Sequence, residues 1–105
     1  MGQDDYPKRF ERTFVELVDG RADEKGYGKG EFAARMWPQM NPRTAATRWH
    51  VIRAKSAHTG KPQSVTLAEA QCMAEALGEE LSYLVAIAKD RARKGLQTTT
   101  AKEKE

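Results

Sequence analysis

The chain has one cysteine, Cys72, among 105 residues. A single thiol excludes an intrachain disulfide framework and any cysteine-cluster zinc site. No apolar run is long enough to cross a bilayer, which excludes a transmembrane helix, and no membrane partner is expected. The opening residues, MGQDDYPKRF, lack the apolar core of a secretory signal, so a reducing cytoplasm is the expected compartment. Aromatic residues are scarce at 8%, enough to anchor one small core. Acid–base pairs and nucleophile sets are missing too, and Gly26, Gly28 and Gly30 follow no strand that would make them a phosphate loop. The sequence therefore predicts neither an enzyme nor a cofactor.

Charge is plentiful but unevenly placed. The formal net charge is +3, with 31% of residues charged. Residues 41–65 carry Arg43, Arg48, Arg53, Lys55 and Lys61 and no acid, whereas residues 66–80 carry Glu69, Glu75, Glu79 and Glu80 and no base. One cationic stretch beside an anionic one suggests a face built for a polyanion. The four glutamates are expected as a solvated face on the opposite side.

Hydrophobic spacing predicts five helices and no strand. Phe10, Phe14 and Leu17, with Val18, form a stripe on a first helix from Pro7 to Val18, stopped by Asp19-Gly20. Residues 20–30 read as a flexible glycine-rich connection. Phe32, Ala33 and Met36 mark a short second helix, Glu31–Trp37, ended by Pro38, which disfavours a helical Trp37. Asn41-Pro42 opens a third, because Asn caps well and Pro suits the first helical position. It runs to Ala54 with Ala45, Ala46, Trp49 and Ile52 inward. A polar loop over residues 55–64 leads to Thr66-Leu-Ala-Glu69, a capping box. The fourth helix then places Leu67, Ala70, Met73, Ala74 and Leu77 inward, up to Gly78, a left-handed terminator. The fifth, Leu81 to Arg93, buries Leu84, Val85, Ile87 and Ala88 and ends at Gly95. The last residues, 96–105, read as a polar, unstructured tail. Residues 1–95 form the one expected domain.

The second and third helices, joined by a tight Pro- and Asn-containing connection, make a helix-turn-helix candidate. Arg43, Thr44, Thr47 and Arg48 fall in the first two turns of the third helix, away from its apolar positions. Arg can fork two donors onto guanine O6 and N7, and Thr can bond a base or pack against a thymine methyl. Trp37 and Trp49 read as core anchors rather than base-stacking platforms. His50 and His58 lie eight apart with no companion ligands, so no metal site is expected. Cys72 reads as a small core or half-buried side chain.

Four stretches in order carry a family resemblance. They are Lys29-Gly-Glu-Phe-Ala33, Ala46-Thr-Arg-Trp49, Lys61-Pro62 with the later Ala74-Glu-Ala-Leu-Gly78, and Glu80-Leu-Ser-Tyr-Leu84. Together, residues 8–88 resemble the phage-repressor type of helix-turn-helix domain, the Cro/cI-like or XRE family. The resemblance implies an all-α, compact five-helix bundle like that of lambda repressor, with the helix over residues 42–54 reading the major groove. It implies base reading near Arg43, Thr44, Thr47 and Arg48, and phosphate contacts from Lys29, Arg53, Lys55 and Lys61. It also implies a bacterial, phage or prophage transcription regulator that binds a double-stranded operator as a homodimer. Tyr83, Leu84, Ile87 or Leu96 of the last helix and tail would be the dimer contacts. The connection Trp37-Pro-Gln-Met-Asn41 departs from the family in length and in lacking glycine, and His50 stands where the family has Glu. A protein-interaction module, such as the antitoxin half of a toxin–antitoxin pair, is the alternative.

Overall fold

The stripe of Phe10, Phe14, Leu17 and Val18 lies on a helix that runs further than its sequence predicted. The computed structural model describes residues 6–54 and 64–104, with side chains up to Lys94. Its helices are α1 (Tyr6–Glu24), α2 (Lys29–Met36), α3 (Pro42–Arg53), α4 (Leu67–Leu77) and α5 (Leu81–Lys104). Among the described residues there is no strand. The fold class is all-α.

α1 passes through Gly20 instead of stopping there. Ala22 continues the buried stripe of Phe14, Val15, Leu17 and Val18 beyond the expected end. Arg21 reaches Glu79 with two parallel bonds, Nε to Oε2 at 2.9 Å and Nη2 to Oε1 at 2.8 Å. These contacts outweigh the roughly 1 kcal/mol that a helical glycine costs. The true stop is Gly26, at φ +84°. There the Tyr27 N–H bonds the Ala22 carbonyl and the Gly26 N–H bonds the Asp23 carbonyl, the paired closure of a left-handed glycine cap. The expected flexible connection thus shrinks to a turn over residues 25–28.

α2 begins earlier than expected, at Lys29, and Trp37 follows it as the C-cap, its backbone pushed out of the helix by Pro38. Asn41 caps α3: its Oδ1 accepts from the Arg43 N–H at 2.8 Å and the Thr44 N–H at 3.4 Å. The capping box of α4 is fully formed, and Gly78 closes that helix at φ +74°.

α5 also outruns its expected end, continuing through Gly95 to Lys104. A glycine ends a helix by adopting positive φ, and among the described residues only Gly26 and Gly78 do so. The expected unstructured tail over residues 96–105 is therefore helical backbone through Lys104.

The helices close around one core. Phe32 of α2, Trp49 and Ile52 of α3, Met73 of α4, Leu84 of α5 and Val18 of α1 are its largest fully buried side chains. Phe32 meets Trp49 edge-to-face, with ring centroids 5.4 Å apart and planes at 65°. That contact fixes α3 against α2 and so decides which face of α3 is left outside.

Candidate nucleic-acid interface

On α3, Ala45, Trp49 and Ile52 are buried, Ala46 is half-buried, and Arg43, Thr44, Thr47 and His50 are exposed. The buried positions recur at i, i+4 and i+7, as do the exposed Arg43, Thr47 and His50 on the other side. Arg43, Thr44, Thr47 and Arg48 line one shallow concavity, so the four residues expected to read bases are brought together. Two exposed threonines and a long cation at the start of a helix offer hydroxyl, methyl and forked N–H groups outward. The start of that helix also carries the positive end of the peptide dipole. No ion pair or hydrogen bond occupies the Arg43 guanidinium among the described residues.

Arg48 differs from its three neighbours. Its Nη1 donates to Glu69 Oε2 at 2.5 Å, and its guanidinium lies 5.6 Å from the centre of the Trp37 ring. Glu69 is 7% exposed, so the expected solvated glutamate is a buried one. Both of its oxygens are used. Oε1 accepts the Thr66 N–H at 2.9 Å, completing the capping box, while Oε2 holds Arg48. A buried carboxylate needs such partners, because isolation from water without them is strongly unfavourable. Arg48 therefore ties α3 to the start of α4. The signal was present in the spacing: positions 45, 48, 49 and 52 form one helical stripe, so Arg48 borders the buried face.

The other acids expected to be solvated split. Glu79 pairs with Arg21, while Glu75 and Glu80 are exposed. Of the expected phosphate contacts, Lys29 has its ammonium 2.6 Å from Asp19 Oδ1 and 3.3 Å from Asp23 Oδ1. The hydrogen bond to Asp19 raises its pKa above the ordinary lysine value. A raised pKa means that this contribution to stability is complete below the unfolded-state value and lost only as pH climbs through the folded one. At neutral pH the lysine is paired with these two carboxylates. Arg53 packs over Trp49, 5.3 Å from the ring centre, and its buried Nε has no hydrogen-bond partner among the described residues. Lys55, Lys61 and His58 lie outside the described residues.

Trp49 is a core anchor as expected, and Trp37 is half-buried against the core. Cys72 is a half-buried free thiol. Among the described residues no group of His, Cys, Asp or Glu could hold a metal ion. No helix among them is long and apolar enough to cross a membrane. Of the expected dimer contacts, Leu84 is fully buried within the chain and cannot serve, Ile87 is half-buried, and Tyr83 is 54% exposed with Arg21 over its ring at 5.7 Å. The side chain of Leu96 lies outside those described.

No protein-family model, curated protein or solved structure matches the chain.

Proposed function

We propose that the chain is a sequence-specific DNA-binding transcription regulator of the helix-turn-helix type, with α2 and α3 as the reading unit. The observation that carries the reading is the division of α3. One face is locked into the core by Trp49 and Ile52, and the other presents Arg43, Thr44 and Thr47 together with no acid between residues 41 and 65. Arg43, Thr44 and Thr47 read base edges, while Arg48 holds the angle of α3 through Glu69 and Trp37. His50 continues the Arg43–Thr47 line toward the next turn. No catalysis is required: phosphate contacts position the domain and α3 discriminates between sequences.

Arg43→Ala should weaken binding to a preferred duplex by about 1–3 kcal/mol and relax preference at one base position. Fluorescence anisotropy on the preferred duplex and its single-base variants reads both effects. Equal loss on every sequence would remove Arg43 from base reading.

A protein-interaction module, such as the antitoxin half of a toxin–antitoxin pair, is the second reading. It is favoured by an apolar groove among the starts of α1, α4 and α5, lined by Phe10, Phe14, Leu81 and Val85, with Leu67 79% exposed at its edge.

A further inference from the structure

Counted along the sequence, residues 1–40 hold one more acid than base and give no sign of a cationic surface. Folding sorts those charges. Asp19 and Asp23 are occupied by Lys29, Glu31 by Arg35, and Glu11 accepts the Val65 N–H at 2.8 Å. The bases at the start of α1 are left differently placed. Lys8, Arg9 and Arg12 are spaced i, i+1 and i+4 and line one shallow surface with Thr13 and Glu16. Lys8 and Arg9 are exposed, and neither has an ion pair or hydrogen bond among the described residues. Among the described residues lining it the one carboxylate is Glu16, about 12 Å along the helix axis from Lys8 at 1.5 Å per residue, and Glu11 Oε1 lies 3.6 Å from Arg12 Nη2.

Arg12 joins this ridge to α3. Its Nη1 donates to the Ile52 carbonyl at 2.6 Å. That carbonyl is one of the last four of α3, which have no partner within the helix, so Arg12 caps the end of α3 from α1. The ridge is thereby fixed at the far end of the helix whose first turns carry Arg43, Thr44 and Thr47. Arg53 sits at the same end.

We propose that Lys8 and Arg9 form a second phosphate-binding surface, which grips the backbone of duplex DNA flanking the segment that α3 reads. The inference rests on the reading of α3 given above. It adds phosphate contacts from α1 to those expected around α3. Long flexible cations without partners suit phosphates, which are bound by charge and proximity rather than by sequence.

The full chain and its K8A/R9A variant are compared on a duplex selected from a random pool and on a random duplex of equal length, across a salt series. Each phosphate contact contributes about 0.9 to the slope of log affinity against log salt. The variant should lose between one and two units of slope on both duplexes and bind each more weakly at low salt. Its base preferences should match those of the unaltered chain. The K89A/R91A variant, which removes two exposed charges from α5, controls for net charge and should change the slope far less. Circular dichroism melting of K8A/R9A should be unchanged, since both side chains are exposed. An unchanged slope overturns the proposal, as does an equal drop in K89A/R91A. An unaltered chain that binds both duplexes alike defeats sequence reading but leaves the slope comparison decisive for the ridge. Failure to bind any duplex overturns both.

Discussion

Trp49→Ala should destabilise the chain by about 3–5 kcal/mol. Trp49 is fully buried, and its ring is the body on which Phe32 of α2 packs edge-to-face. Truncation removes the transfer free energy of the indole and leaves a cavity that helices fixed elsewhere cannot fill. A domain of this size has a total stability of only about 5–15 kcal/mol, so the loss takes a large share of it. Arg53, which lies along the ring, would lose its packing surface at the same time. Urea unfolding followed by circular dichroism measures the change. A loss below about 1 kcal/mol would mean that α3 is not held by this contact, and the account of which face it exposes would fail with it.

Glu69→Ala should have the next largest effect, about 2 kcal/mol of stability, because one side chain serves two structures. It closes the capping box of α4, a contribution of about 1 kcal/mol. It also neutralises Arg48 in a pair whose carboxylate is buried and whose guanidinium is 40% exposed, so the pair is worth less than a fully buried one. The consequence for DNA follows from the geometry. With Glu69 gone, α3 loses its tie to α4, and the outer face proposed to read DNA is less well aimed. Binding should weaken on all sequences by a similar factor. Arg48→Ala should behave the same way, and the double variant should cost less than the two single losses added together, by about 1 kcal/mol. Urea unfolding of all four proteins gives the cycle, and anisotropy on single-base variants of the duplex gives the preference. Relaxed preference at one base position in Arg48→Ala, with affinity raised by Glu69→Ala, would instead make Arg48 a base-reading residue restrained in the free protein.

The parts of this fold that were legible in the sequence are those fixed by residues close together in it. Asn41-Pro42 announces the start of α3, Thr66 with Glu69 announces α4, and Gly78 ends it, each by local hydrogen bonding or backbone conformation. The ends of α1 and α5 were not legible by the same logic. Gly20 and Gly95 look like stops, yet a glycine's cost within a helix is small. At Gly20 it is outweighed by Arg21, which bonds a carboxylate 58 positions away. The candidate site divides similarly. Arg43, Thr44 and Thr47 follow from the helical period, but Arg48 could be assigned only by weighing its place beside the buried stripe above its chemistry. Counting charges in blocks found the basic segment at residues 41–65. It missed the α1 ridge, because Asp19, Asp23 and Glu31, which offset it in the count, are paired with Lys29 and Arg35 in three dimensions. The same counting mistook Glu69 for a solvated side chain.

Selection of bound duplexes from a random DNA pool by the full chain decides whether α3 reads sequence. If the outer face of α3 reads base edges, successive rounds enrich a defined sequence, and Arg43→Ala or Thr47→Ala blurs individual positions within it. Recovery of unenriched DNA, bound no more tightly than the starting pool, would contradict the account and favour a chain that acts through a protein partner.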